Sequence, residues 1–169
     1  KETTILLHGV TGSGKTEVYL QLADQIIQQG KQVLILVPEI SLTPQMVKRV
    51  ESRFCNRVAI YHSALNNQEK YEQFKRVKKQ QCDVVVGTRS AVFMPFEKLG
   101  LIILDEEHDS SYKQDSTPQY HCRDVAIWRA NYHHCKVILG SATPSLDSYA
   151  RTLKNVYRLV EMPARINDK

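Results

Sequence analysis

Six short apolar runs punctuate the chain: Ile5 to Leu7, Val33 to Val37, Val58 to Ile60, Val84 to Val86, Leu101 to Leu104 and Val137 to Leu139. Each is continuous rather than alternating, so both faces of each predicted strand are buried, as in a parallel sheet covered by helices. Between the runs the apolar period lengthens. Tyr19, Leu22, Ala23 and Ile26 fall at i, i+3, i+4 and i+7, with Gly30 placed to stop that helix. Thr43-Pro44 is an N-cap and first-turn pair that opens a second helix. Asn66 and Glu69 resemble a capping box, ahead of Tyr71, Phe74 and Val77 as an expected core stripe. Val125, Trp128, Arg129 and Tyr132 predict a further helix with Arg129 at its polar edge. Strand and helix alternating in this way imply right-handed crossovers and a doubly wound α/β domain with a mainly parallel sheet. The longest irregular stretch, residues 109–121, follows an acidic cluster and is a candidate functional loop.

Composition narrows the class without naming a function. At 169 residues, 42% hydrophobic and 24% charged, the chain reads as one ordinary folded domain, expected to span residues 1–169. The net charge of +5 fits a polyanion-binding surface but does not identify one. Cys55, Cys82, Cys122 and Cys135 are scattered with no CxxC pair, so free thiols in a reducing compartment are expected, and no zinc site. No apolar run approaches the ~20 residues of a membrane span, and no secretory leader is visible. A strand predicted almost at Lys1 and the trailing Asn167-Asp168-Lys169 read as a fragment of a longer protein.

The first chemistry lies between the first strand and the first helix. Gly9-Val10-Thr11-Gly12-Ser13-Gly14-Lys15-Thr16 matches GxxxxGK[ST] in the strand–loop–helix setting that a phosphate loop requires. The glycines let successive backbone N–H groups curl around phosphate oxygens, and the helix N-terminus adds its dipole. Lys15 is placed for the β/γ-phosphates and the Thr16 hydroxyl for Mg2+. The second cluster, Asp105-Glu106-Glu107-His108, ends a buried strand, where open α/β sheets bind ligands. Asp105 suits Mg2+, a hard cation that prefers oxygen, and Glu106 is placed to orient or deprotonate the attacking water.

The order Asp-Glu-x-His, followed by Ser141-Ala142-Thr143 after a further strand, is similar to the motors of helicase superfamily 2. Longer stretches resemble the PriA family of replication-restart helicases, in its first RecA-like lobe. They are Gly9 to Tyr19, Val37 to Gln45, Gly87 to Ser90, Asp105 to Asp109, Ser111 to Gln114 and Gly140 to Pro144. The resemblance implies an ATP- and Mg2+-dependent DNA helicase of the bacterial cytoplasm, moving 3′ to 5′ on single-stranded DNA. It implies forked DNA, a second helicase lobe, primosome proteins and single-strand-binding proteins as partners.

By the same resemblance, His108, Ser141 and Thr143 couple the nucleotide site to DNA, although Thr143-Pro144 also reads as a helix cap. Ser41, Thr43, Thr88, Arg89 and Ser90 follow the second and fourth strands and are placed to converge on one phosphate backbone, a sequence-independent contact. Tyr112, Lys113, Tyr120 and His121 lie in a stretch that resembles this family's aromatic-rich loop. Tyr112 and Tyr120 read equally well as base-stacking platforms and as loop anchors. Gln119 stands where the family pattern has Arg, and Cys122 where it has Ala. Lys70, Lys75, Arg76, Lys78 and Lys79 read as a solvated helix face, and His8, His62, His133 and His134 lack metal-site spacing. Two alternatives use the same motifs: a duplex translocase or remodelling ATPase, and a nucleotide-gated DNA-binding module without turnover.

Overall fold

The computed structural model describes residues 4–9, 14–142, 146–154 and 156–162. The strands in chain order are β1 (Thr4–Gly9), β2 (Gln32–Leu36), β3 (Val58–Tyr61), β4 (Val84–Gly87), β5 (Leu99–Leu104), β6 (Lys113–Gln114), β7 (Tyr120–His121), β8 (Lys136–Ser141) and β9 (Arg158–Met162). The helices are α1 (Lys15–Gln28), α2 (Pro44–Phe54), α3 (Asn67–Lys78), α4 (Cys122–His133) and α5 (Leu146–Leu153). Among the described residues, seven strands form one sheet in the order β3-β4-β2-β5-β8-β1-β9, parallel throughout. The antiparallel pair β6–β7 stands apart in the 109–121 segment. All six apolar runs are strands. The seventh, β9, was not foreseen, because Arg158-Leu159-Val160-Glu161-Met162 is a mostly exposed edge strand without a continuous apolar run.

Two layers of side chains cover the sheet, and alternate residues of each strand divide between them. Val33, Ile35, Val84, Val86, Ile103 and Ile138 pack beneath Tyr19, Leu20 and Ala23 of α1 and Val50 and Phe54 of α2. Leu34, Leu36, Val85, Ile102, Leu104 and Leu139 point the other way, towards Val77 of α3 and Ala126 and Ala130 of α4. The foreseen caps are present. Thr43 Oγ1 accepts from the Met46 amide at 3.2 Å, and Asn66 and Glu69 make both bonds of a capping box.

Two helices present faces other than those expected. In α3 only Val77 is buried, while Tyr71 is 61% and Phe74 42% exposed. Arg76, expected on the solvated face, instead donates to the carbonyls of Asn56 at 2.8 Å and Val58 at 3.2 Å, at the start of edge strand β3. A helix over a sheet edge needs only a narrow apolar strip, and backbone acceptors there outbid the aromatic rings. In α4 the inner face is Cys122, Ala126 and Ala130, small side chains that let the helix approach the sheet. Trp128 and Tyr132 point outward at 66% and 69% exposure, stacked with centroids 5.8 Å apart. Arg129 reaches the carbonyls of Val92 and Met94 at 2.7 and 2.6 Å. Cys82, Cys122 and Cys135 are buried free thiols and Cys55 is exposed. No described helix is long and apolar enough to cross a membrane.

Candidate nucleotide site and nucleic-acid face

Parallel registers align the C-terminal ends of β1, β8 and β5: Leu6 pairs with Leu139, and Leu104 with the same residue from the other side. Three motif-bearing loops therefore leave one sheet edge. Gly9 ends β1, and Val10, Thr11, Gly12, Ser13 and Thr143 lie outside the described residues. Gly14 caps α1 in the left-handed region at φ 89°, a conformation that L side chains avoid. Lys15 opens the helix, almost fully buried, and its Nζ donates to the Gly9 carbonyl at 2.7 Å. That ammonium is 3.7 Å from Glu106 Oε1, so the phosphate-loop lysine and the candidate water-orienting carboxylate share one space. Thr16 is half-buried in the first turn of α1.

Asp105 directly follows β5. Its Oδ1 accepts from the Tyr19 hydroxyl at 2.8 Å, and its backbone carbonyl accepts from the Tyr112 hydroxyl at 2.5 Å. Burial raises the Asp105 carboxyl above its ordinary value, opposed by the Tyr19 hydrogen bond, the Lys15 charge and the Glu106 amide. Burial, and then the Asp105 charge, raise Glu106 as well, with Lys15 opposing. Two undercompensated carboxylates beside one ammonium make a site that favours a further cation. Oxygen donors from Asp105 and Thr16 suit Mg2+, which takes one or two protein ligands and fills the rest with phosphate oxygens and water. Glu106 sits at φ 49°, a left-handed conformation costing a residue with a Cβ roughly 1–2 kcal/mol. Such local strain is typical of residues held for function.

His108 bridges towards the third loop: its Nδ1 is 3.0 Å from Ser141 Oγ, and its Nε2 is 3.9 Å from Glu106 Oε2. Glu107, fully buried, accepts from Ser148 Oγ of α5 at 2.9 Å and lies 3.5 Å from Arg123 of α4. Polar roles for Glu107 and Tyr19 carry no mark in the sequence. Their partners lie 41 and 86 residues away along the chain, beyond any local spacing signal.

The candidate DNA contacts separate into groups. Thr88, Arg89 and Ser90 line a hollow of ≈ 260 Å3 with Glu39, Ser63 and Ser111. Glu39 and Ser63, joined by a 3.3 Å hydrogen bond, were not foreseen there. Ser41 closes a short 3-10 turn, and Thr43 spends an acceptor on its helix cap. Both flank an adjoining groove through Leu42 and Pro44 rather than lining the hollow itself. Arg89 donates to the carbonyls of Ser111 at 3.3 Å and Lys113 at 3.1 Å, so it currently holds the 109–121 segment. Lys113 is exposed; Tyr120 is half-buried, edge-on to Phe93 at 5.0 Å.

Of the two readings open for Tyr112, base-stacking platform and loop anchor, the structure takes the second and removes the tyrosine from the expected DNA contacts. It is completely buried, with its hydroxyl spent on Asp105, so it anchors the loop and offers no face to a base.

Comparison with known proteins agrees with this geometry. The DEAD/DEAH box helicase family model matches residues 1–152. The chain is 56% identical to replication restart protein PriA of Bacillus subtilis over 97% of its own length and 20% of that protein's. Against PriA of Haemophilus influenzae it is 49% identical, over 95% of this chain and 22% of the relative. It thus spans about a fifth of the length of the curated relatives it matches. Among solved structures, RecG bound to a three-way DNA junction superposes with a TM-score of 0.70 and 26% identity, over 98% of this chain and 21% of that one. The Pyrococcus furiosus Hef helicase domain shares the fold, with a TM-score of 0.65 and 18% identity over 96% of this chain and 36% of that one. On the breadth of the family match and the placement of its motifs, the chain belongs to the DEAD/DEAH box helicase family.

Proposed function

We propose that this chain is the ATP-binding lobe of a DNA helicase that couples ATP hydrolysis to movement along single-stranded DNA during replication restart. The observation that carries the reading is the meeting of Lys15, Asp105, Glu106 and the His108–Ser141 pair at one sheet edge. Lys15 leaves the Gly9 carbonyl for the β/γ-phosphates of ATP, the group that a GxxxxGK[ST] sequence such as that of residues 9–16 takes. Asp105 and Thr16 would hold Mg2+, which would supply positive charge against the negative charge that develops in phosphoryl transfer. Glu106, its proton affinity raised by burial, orients the attacking water and accepts its proton. His108 and Ser141 carry the state of Glu106 to the loop after β8.

The hollow around Thr88, Arg89 and Ser90 takes the DNA backbone. The PriA relatives' name supports a restart role, and RecG on a three-way junction supports forked DNA as the substrate. A second helicase lobe, the primosome and single-strand-binding proteins complete the assembly. A gated module without turnover would have no use for Glu106.

On this reading the 169-residue lobe binds nucleotide but hydrolyses it poorly. The γ-phosphoryl charge needs an arginine from the second lobe, a group worth ~10³–10⁵ in rate where NTPases use one. Steady-state phosphate release, with and without single-stranded DNA, tests this. Extension through the second lobe should confer DNA-stimulated turnover. Vigorous stimulated hydrolysis by the 169-residue chain alone would overturn the two-lobe mechanism.

A further inference from the structure

Tyr19 belongs to α1, four residues after Lys15 and three after Thr16, spacings that make it a neighbour of each on the helix surface. Its ring is buried under the sheet, and its hydroxyl reaches 2.8 Å across to Oδ1 of Asp105. A tyrosine used only for packing needs no carboxylate, since phenylalanine fills the same space. Position 140 is shaped around this contact. A Cβ on Gly140 would collide with the Tyr19 hydroxyl, lie 2.9 Å from Cζ and come within 3.1 Å of Asp105 Oδ1. Neighbouring strand β8 thus lacks a side chain at the point where the phenol meets the carboxylate.

We infer that Tyr19 is a positioning residue for Mg2+: its hydroxyl fixes the Asp105 carboxylate relative to Thr16, and Gly140 provides the room. The inference rests on the proposed reading that Asp105 and Thr16 hold the metal. One helix then carries both the Thr16 hydroxyl and the group that aims Asp105, so α1 sets the spacing between the two metal ligands. Tyr112 completes the arrangement from the other side by holding the Asp105 carbonyl, leaving both ends of the residue tied. Groups that hold a metal's ligands in place typically change metal affinity by ~10–100-fold when removed.

The test uses the full-length protein and a fluorescent N-methylanthraniloyl ADP probe, titrated with Mg2+ at fixed probe concentration. Tyr19→Phe keeps the ring and removes only the hydroxyl. The Mg2+ midpoint for probe binding should rise about 10-fold, while binding of the probe without Mg2+ stays at the wild-type level. An unchanged midpoint would overturn the proposal, and so would an equal loss with and without Mg2+, which would make the hydroxyl merely structural. Asp105→Asn separates this from failure of the underlying reading. If Asp105→Asn shifts the midpoint and Tyr19→Phe does not, only the role of Tyr19 falls. If Asp105→Asn shifts nothing, the assignment of Asp105 falls and takes the proposal with it.

Discussion

The Tyr112 hydroxyl donates to the backbone carbonyl of Asp105 at 2.5 Å, tying the 109–121 segment to the end of β5. The ring is wholly buried, so this tyrosine should act on stability and not on base stacking. Tyr112→Phe is expected to cost about 1 kcal/mol, the net worth of one buried hydrogen bond. Tyr112→Ala is expected to cost roughly 3–5 kcal/mol through the cavity it leaves. Urea denaturation measures both. A fully stable Tyr112→Ala protein with weakened DNA binding would restore the stacking role.

Glu106 provides a pH-dependent check. Burial and the Asp105 charge raise its carboxyl above the ordinary 4.5. A carboxyl raised on folding stabilises the protein fully below its unfolded value, and that stability is lost as pH rises through the folded value. At neutral pH the ionised group therefore works against the nucleotide-free fold. Glu106→Gln should melt higher than wild type at pH 7, with the gap closing as pH falls towards 4. In the full-length protein the same change should abolish turnover while leaving nucleotide binding. A lower melting temperature at pH 7 would mean that the Lys15 contact outweighs burial.

Arg89 holds the carbonyls of Ser111 and Lys113, and a DNA phosphate in the adjoining hollow would compete for the same guanidinium. Removing one cation that neutralises a single-strand phosphate lowers the log–log salt slope of binding by about 0.7. Arg89→Ala in the full-length protein should show that reduction, with affinity lost uniformly across sequences. Fluorescence anisotropy at several salt concentrations reads it, and an unaltered slope would remove Arg89 from the phosphate contacts.

The buried strands and the nucleotide motifs were legible because their signals are local. Val84-Val85-Val86 is a short, continuous, β-branched run, the mark of a strand buried on both faces, and Thr43-Pro44 marks a helix start within two residues. Helix faces were less legible. Tyr71 and Phe74 satisfy the core period as well as Val77 does, yet α3 turns Arg76 inward to carbonyls that sequence cannot reveal. The same happened in α4, where small Cys122, Ala126 and Ala130 decide the approach and Trp128 is left outside. Strand β9 carries too little apolar character to announce itself. Within the site, the residue types were readable, but Tyr19 on Asp105 and Ser148 on Glu107 join positions that only the closed sheet brings together.

On the proposed reading, Lys15, Thr16 and Asp105 build a Mg2+–nucleotide site on this chain. Thermal melting with and without Mg-ADP decides whether they do. A ligand that binds only the folded state at ~100 times its dissociation constant adds about 2.7 kcal/mol of stability. Wild type should show a clear upward shift at millimolar Mg-ADP, nearly absent in Lys15→Ala and reduced when Mg2+ is chelated. A wild-type melting curve that does not move, or one that moves equally in Lys15→Ala, would contradict that reading.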